Sequence, residues 1–129
     1  MKKRILSIIL CFVLVFSVLS ISAQARWTNC ASISLGMSRS NGIVSWSGNI
    51  EGNSDTIKIT ANYVLERLDS NNQYVLVGTW QNLKTTTKTY LNSSGSASAP
   101  SGTYRLTLTG TVDTASYSEP ISAVFVKTI

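Results

Sequence analysis

The sequence predicts an all-β protein, an antiparallel β-sandwich of about seven strands that is preceded by a cleavable signal peptide. Three observations predict it. A basic start leads into one long apolar stretch. Serine and threonine then supply 30 of the 104 residues that follow the predicted signal, a composition that suits half-buried strands. Apolar and polar residues alternate in short runs, and turn residues separate the runs.

The amino terminus has the layout of an export signal. Basic residues 2–4 precede the apolar range 5–21, and a small-residue exit ends at Ala25. We therefore divide the chain into a signal peptide at 1–25 and one folded domain at 26–129, and we expect the mature protein to be secreted. A membrane anchor is the alternative, because a mainly apolar stretch of 17 residues is near the short limit for spanning a bilayer.

The charge and the residue types exclude several classes of function. The whole chain has a formal charge of +5, but the predicted mature part has eight basic and six acidic residues, a net charge of +2. Nucleic acid or a membrane surface would need clustered positive charge, so we expect neither as a partner. The chain has no histidine, which removes most metal sites and most nucleophile–histidine pairs. We expect no metal, no cofactor and no enzyme activity.

Alternation around a tight turn predicts the first two strands. Asn41-Gly42 is typical of a type I′ hairpin, because both residue types accept a positive φ. Before and after this turn, small or polar residues separate the apolar positions Ile33, Leu35, Met37, Val44, Trp46 and Ile50.

Five further strands follow along the chain. We predict them near 56–68, 73–80, 84–91, 103–112 and 117–126, with turn-rich links at 51–55, 69–72 and 92–102. The segment 56–68 also fits one face of a helix, but its β-branched and aromatic residues favour a strand.

A short stretch late in the chain makes the fold prediction more specific. Gly102-Thr103-Tyr104-Arg105-Leu106 resembles the tyrosine corner of immunoglobulin-type sandwiches. The resemblance implies that the Tyr104 hydroxyl bonds to the backbone a few residues upstream, and that Leu106 occupies a position where antibody-like domains have cysteine. We therefore predict an immunoglobulin-like sandwich. A closed barrel is the alternative, because alternation fits both.

The predicted mature chain has a single cysteine, so the core must hold the fold without an intrachain disulfide. Cys30 is either a buried small residue or the thiol of an interchain disulfide. The predicted core comprises Ile33, Leu35, Val44, Trp46, Tyr63, Leu65, Trp80, Tyr104, Leu106, Leu108 and Phe125.

Two acidic residues of one loop offer the only catalytic hypothesis. Glu51 and Asp55 could flank a sugar as the paired carboxylates of a hydrolase do, although solvation of a turn is the simpler interpretation. Asn49 and Asn53 alternate with them and extend a set of oxygen ligands for calcium, but the spacing is not that of a known calcium loop.

Export and sandwich patterning without catalytic groups favour a non-catalytic binding or adhesion module that recognises a glycan or a protein. Exposed aromatic rings would stack on sugars, although Trp80 ends an apolar strand and is better suited to the core, and Trp27 could merely anchor the mature terminus. A structural or self-assembling extracellular protein, joined through an edge strand or Cys30, is the alternative. The aromatic candidates are Trp27, Tyr74, Trp80, Tyr90 and Tyr117.

Short blocks throughout the chain resemble a family of small uncharacterised secreted bacterial proteins with an immunoglobulin-like β-sandwich. The resemblance implies an exported sandwich and carries no activity or ligand. Besides the signal peptide, the blocks are Arg26-Trp27-Thr28-Asn29, Ile33-Ser34-Leu35, Tyr63-Val64-Leu65-Glu66, Val77-Gly78-Thr79-Trp80 and Ser101-Gly102-Thr103-Tyr104-Arg105-Leu106.

Overall fold

Seven antiparallel strands and no helix make up residues 27–86 and 89–129, the parts of the chain that the computed structural model describes. The predicted signal peptide at 1–25 lies outside the described residues. The strands are β1 (Cys30–Ser40), β2 (Ile43–Gly52), β3 (Lys58–Leu68), β4 (Tyr74–Thr85), β5 (Tyr90–Ser98), β6 (Thr103–Asp113) and β7 (Ser118–Thr128).

The strands form two sheets that pack face to face. One sheet has three strands in the order β1-β2-β5, and the other has four in the order β4-β3-β6-β7. At the edges, β1 lies beside β7 and β4 lies beside β5. No hydrogen-bonded ladder joins the two sheets within the described residues, so the fold is a sandwich and not a closed barrel. The predicted immunoglobulin-like β-sandwich of seven strands is confirmed.

The β1–β2 hairpin forms at the predicted turn. Asn41 has a φ of 52° and Gly42 a φ of 76°, the left-handed conformation that a type I′ turn requires at both positions. This turn matches the twist of the two strands, and the apolar residues of both then face the core. The prediction from Asn41-Gly42 is therefore confirmed.

The prediction was wrong about the fourth and fifth strands. β4 continues to Thr85, and β5 occupies Tyr90–Ser98, most of which was predicted as the link 92–102. After Leu91, the inward positions of β5 are the small residues Ser93, Gly95 and Ala97, so the segment lacks the apolar alternation that marks a half-buried strand. At Gly95, the rings of Trp46 and Trp80 fill the space that a side chain would need.

Three aromatic rings form the centre of the core. Trp46 stacks on Tyr63 with a centroid separation of 4.2 Å and meets Trp80 edge-on at 5.1 Å. These rings fit because the sheet beneath them lacks side chains at two points. A Cβ atom on Gly48 would collide with the Tyr63 hydroxyl, and one on Gly95 would collide with the Trp46 indole nitrogen.

The predicted core residues all contribute to the interior. Ile33, Leu35, Trp80 and Phe125 are partly buried and pack against the core. The fully or nearly fully buried members are Val44, Trp46, Tyr63, Leu65, Tyr104, Leu106 and Leu108.

The tyrosine corner forms as the sequence predicts. The buried Tyr104 donates its hydroxyl hydrogen to the carbonyl of Pro100, four residues upstream. This bond is one of a series, because each carbonyl of 99–102 accepts one hydrogen bond. The side chain of Arg39 donates to the carbonyl of Ala99, and that of Arg67 to the carbonyl of Ser101. The backbone N–H of Ile129 donates to the carbonyl of Gly102.

Candidate functional site

The outer face of the three-stranded sheet carries almost only serine and asparagine. We call it the serine face and define it by three rows of paired residues that run across β1, β2 and β5. The rows are Ser38–Ser45–Ser96, Gly36–Ser47–Ser94 and Ser34–Asn49–Asn92.

The serine face is a regular and uncharged array. Neighbouring strands of a sheet lie about 4.8 Å apart, and every second residue along a strand is about 6.7 Å from the last. Hydroxyl and amide groups therefore repeat in two directions. The rows contain no charged residue, which is uncommon for the exposed face of a sheet.

Two shallow depressions lie in this face, each over the backbone of a glycine. One depression of about 340 Å³ lies at Gly48, between the side chains of Ser34, Asn49 and Asn92. A second, of about 290 Å³, lies at Gly36. Both are open to solvent, and apolar atoms make up the larger part of the surface that lines them. The face is therefore a surface of hydroxyl and amide groups with two shallow, largely apolar depressions.

Asn49, one of the residues that line the larger depression, has an amide oxygen that lacks a partner. Oδ1 of Asn49 is buried and accepts no hydrogen bond from any described residue. Beneath Gly48, the Tyr63 hydroxyl is also buried, and although the Ser93 side chain lies near it, the two do not form a well-aligned hydrogen bond. Burial raises the pKa of the Tyr63 hydroxyl, and the Ser93 hydroxyl offsets part of this effect. A buried acceptor without a donor is costly, but this oxygen has no exposed surface, so a ligand in the depression does not contact it.

Tyr90 is the one predicted aromatic candidate that lies beside the serine face. It pairs with Glu51, which pairs with Ser32, so these residues form the next row beyond the asparagines. Tyr90 is 41% exposed and sits at the start of β5. An aromatic ring therefore borders the array at one end.

The structure places the other four aromatic candidates elsewhere. Trp27 and Trp80 are partly buried and pack against the core. Tyr74 lies on the opposite sheet, with the guanidinium carbon of Arg105 3.9 Å from its ring centroid. Tyr117 is exposed in the turn before β7. The five candidates therefore do not share a surface.

The two carboxylates of the catalytic hypothesis have separate environments. Glu51 lies on the outer side of β2 and accepts a 3.4 Å hydrogen bond from the Ser32 hydroxyl. Asp55 is exposed in the turn between β2 and β3. Asn53 of the same turn donates its amide to the Thr28 carbonyl at 2.6 Å. Within residues 27–86 and 89–129, no three His, Cys, Asp or Glu side chains gather as a metal site would require.

Cys30 is buried at the start of β1. Only 5% of the residue is exposed, and its thiol lies 3.5 Å from the carbonyl oxygens of Ser32 and Glu51. Burial raises the pKa of the thiol, and the charge of Glu119 adds to the effect. These surroundings favour the packing interpretation of Cys30 over a disulfide between chains.

Glu119 holds the first described residues in place, a role that the sequence analysis did not anticipate. This buried carboxylate accepts backbone hydrogen bonds from Thr28 at 2.6 Å, Asn29 at 3.0 Å and Cys30 at 3.2 Å. The Asn29 side chain also donates to the carbonyl of Val112 at 3.3 Å. We call these contacts the Glu119 clamp. They fix the entry into β1 against the opposite sheet.

The outer face of the four-stranded sheet has a different character. Arg105 contacts Oε1 of Glu66 through two nitrogens, at 2.9 and 3.1 Å. Leu76 and Val126 flank this ion pair in the same cross-strand row, and Val124 is exposed in the adjacent row. This surface is mixed apolar and charged, whereas the serine face is neutral.

The sequence analysis missed the serine face because it grouped those residues by composition. The usable signal is the serine, asparagine or, at Gly36, glycine at every second position of 32–38, 45–49 and 92–98. Joining these three runs into one surface requires the register of β5 against β2, which the sequence does not display.

Comparisons with known proteins identify no family. No protein-family model matches the sequence, and no curated protein is significantly similar to it. Among solved structures, the chain is similar to a protein from Archaeoglobus fulgidus, with 11% identity and a TM-score of 0.42 over 78% of this chain and 95% of that one. A similarity of this size does not bear on function. The described residues also contain no helix that is long and apolar enough to cross a membrane.

Proposed function

We propose that this chain is a secreted, non-catalytic binding module whose serine face recognises a neutral, hydroxyl-rich glycan. The observation that carries the proposal is the uncharged serine and asparagine array across β1, β2 and β5. The predicted signal peptide supports an extracellular site of action.

The chemistry of the face suits sugar hydroxyls. A serine hydroxyl both donates and accepts, and its hydrogen rotates to match a partner. Asparagine adds two donors and an acceptor in fixed directions. Because sugar hydroxyls have the same dual character, the array can pair with them in many registers. The missing charge favours a neutral polymer over an acidic one.

The shape of the face favours a polymer over a small sugar. Both depressions are open, so a single small ligand would remain largely exposed to solvent and would bind weakly. An extended chain contacts several rows at once, and the repeated contacts raise the overall affinity. Tyr90 offers a ring on which a sugar can stack at the end of the array.

The test is a depletion assay of residues 26–129 on cellulose, chitin and purified bacterial cell wall. We expect retention on at least one matrix, with the same affinity in added salt because no ion pairs take part. The double substitution Asn49→Ala with Asn92→Ala removes both amides of one row and should weaken retention roughly tenfold or more, since each lost hydrogen bond costs about 1 kcal/mol.

The matched control is Thr107→Ala with Thr109→Ala, which removes two polar groups from the outer side of β6 on the opposite sheet. This variant should bind as the unsubstituted chain does. Equal loss in both variants, or retention on none of the three matrices, would overturn the proposal.

A further inference from the structure

We propose that two copies of this chain pair through the free edge of β5, so that their three-stranded sheets join into one six-stranded sheet with a continuous serine face. The inference goes beyond glycan binding and does not depend on it. Its basis is that β5 lacks the features that protect the other three edges of the sandwich.

The edges β1, β4 and β7 carry features that discourage pairing with another strand. β1 is bulged between Cys30 and Ser32, and β4 meets two register shifts against β3. β7 contains Pro120, and its Lys127 reaches across to donate to the Met37 carbonyl of β1 at 3.1 Å. Bulges, prolines and charges turned toward the sandwich are the means by which proteins block edge-to-edge association.

β5 has none of these features. It pairs with β2 over Tyr90–Ser98 without a register shift, and the segment contains no proline and no charged residue. Its sequence is made of small side chains after Leu91. A regular, uncharged edge of nine residues is a template on which another strand can pair.

The backbone groups on the open side of β5 can be assigned. Gly52 donates to the carbonyl of Thr89, and Ala99 donates to the carbonyl of Gly42, so odd-numbered residues point toward β2. Successive residues of an antiparallel strand point their backbone groups to alternate sides. The residues that direct N–H and C=O away from β2 are therefore Asn92, Ser94, Ser96 and Ser98.

A second copy is the occupant that this edge fits best. Antiparallel pairing about a two-fold axis places the uncharged residues 92–98 of one copy against the same residues of the other, so no like charges meet between the two paired strands. A charged residue beside this edge is Lys84 of β4, which lines a depression together with Asn92 and Ser94. Residues that oppose each other point to the same face of a sheet, which carries the serine array across the junction. A partner strand with charged side chains would find no opposite charge on β5.

The experiment is sedimentation equilibrium of residues 26–129 from about 1 μM to about 1 mM, with reductant present throughout. We expect a monomer–dimer equilibrium. Two variants place charge on the exposed positions beside the edge: Ser94→Lys with Ser96→Lys, and Ser94→Glu with Ser96→Glu. Each alone should raise the dimer dissociation constant at least about tenfold, because like charges then oppose each other. An equimolar mixture of the lysine variant and the glutamate variant should dimerise again, because opposite charges then face each other. This holds whether Ser94 of one copy pairs with Ser94 or with Ser96 of the other.

The matched control is Ser45→Lys with Ser47→Lys, which adds the same charge to the same face on the central strand. This variant should dimerise as the unsubstituted chain does. It also tests the two proposals separately, because charge in the middle of the serine face should weaken glycan retention. A monomer at all concentrations, a dimer that persists in both charged variants, or a mixture that stays monomeric would overturn the inference.

Discussion

The indole nitrogen of Trp46 lies against the backbone of Gly95, in space that a Cβ atom would otherwise occupy. The two residues belong to neighbouring strands and pair directly across the ladder. A large ring and an absent side chain therefore form one unit of packing. The Tyr63 hydroxyl likewise occupies the space that a Cβ atom on Gly48 would need, although Tyr63 belongs to the opposite sheet. The aromatic core therefore depends on two glycines of the three-stranded sheet.

Replacing Gly95 with alanine should destabilise the protein by about 1–3 kcal/mol, because the added methyl forces Trp46 and its neighbours out of position. Urea unfolding followed by tryptophan fluorescence measures the change. Ser96→Ala, an exposed change at the next residue, should stay within about 0.5 kcal/mol. If the two variants unfold at the same urea concentration, the packing of Trp46 on Gly95 does not constrain the fold.

Replacing Glu119 with glutamine should cost about 1–3 kcal/mol, since an amide NH₂ would face backbone N–H groups that need an acceptor. Hydrogen exchange provides a local readout, because the amides of Thr28, Asn29 and Cys30 should exchange faster in the variant. Glu51→Gln is the control, as that carboxylate lies on an outer face. Unchanged exchange at these three amides would show that the carboxylate is not their principal acceptor.

Replacing Tyr104 with phenylalanine should lower stability by about 1 kcal/mol, because the Pro100 carbonyl loses its donor while the ring still packs. Tyr117→Phe removes an exposed hydroxyl and should have no measurable effect. Thermal unfolding of both variants tests the pair. A Tyr104→Phe variant as stable as the unsubstituted protein would argue against a stabilising role for the corner.

Stability should fall as the pH rises above about 9. The pKa of the Cys30 thiol is raised above its ordinary value of 9.0 by burial, so the folded chain keeps a proton that the unfolded chain releases. The stabilisation is thus complete below pH 9 and is lost as the pH approaches the folded pKa. Cys30→Ala should flatten this decline. The raised pKa of the Tyr63 hydroxyl adds a second decline that begins near its ordinary value of 10.0.

Denaturant titrations at intervals from about pH 7 to pH 11 measure this dependence. The comparison is of slopes, because Cys30→Ala also changes the packing at every pH. The three chains are the unsubstituted protein, Cys30→Ala, and the double variant Cys30→Ala with Tyr63→Phe. The stability of the double variant should depend least on pH. Parallel slopes in all of them would contradict the assignment to these two groups.

Local sequence predicts the parts of this fold that depend on local chemistry. Asn41-Gly42 fixes the first hairpin because few residue pairs accept two positive φ angles. The alternation around Tyr104 identifies β6 because each inward residue is large and apolar. In both cases the information lies within a few residues of the feature that it specifies.

The remainder depends on contacts between distant residues. The sequence of β5 is typical of a linker because its inward residues after Leu91 are small. Gly95 among them is matched to the rings of Trp46 and Trp80, which belong to other strands, so the segment itself carries no sign of the match. The serine face requires the same strand, so the site was missed together with β5. Glu119 looks like an ordinary surface residue of an alternating strand, and only the path of the chain before β1 gives it a buried role.

The Glu119 clamp joins residues that are 91 positions apart, Thr28 in the first described segment and Glu119 in the last strand. Synthesis proceeds from the amino terminus, so the entry to β1 waits for its acceptor until β7 has been made. Partial chains that end before Glu119 leave three amides at that entry without their carboxylate. The residues before β1 are made first, but their hydrogen bonds form only after β7 has been made. Proteases should therefore cleave truncated chains at the entry to β1.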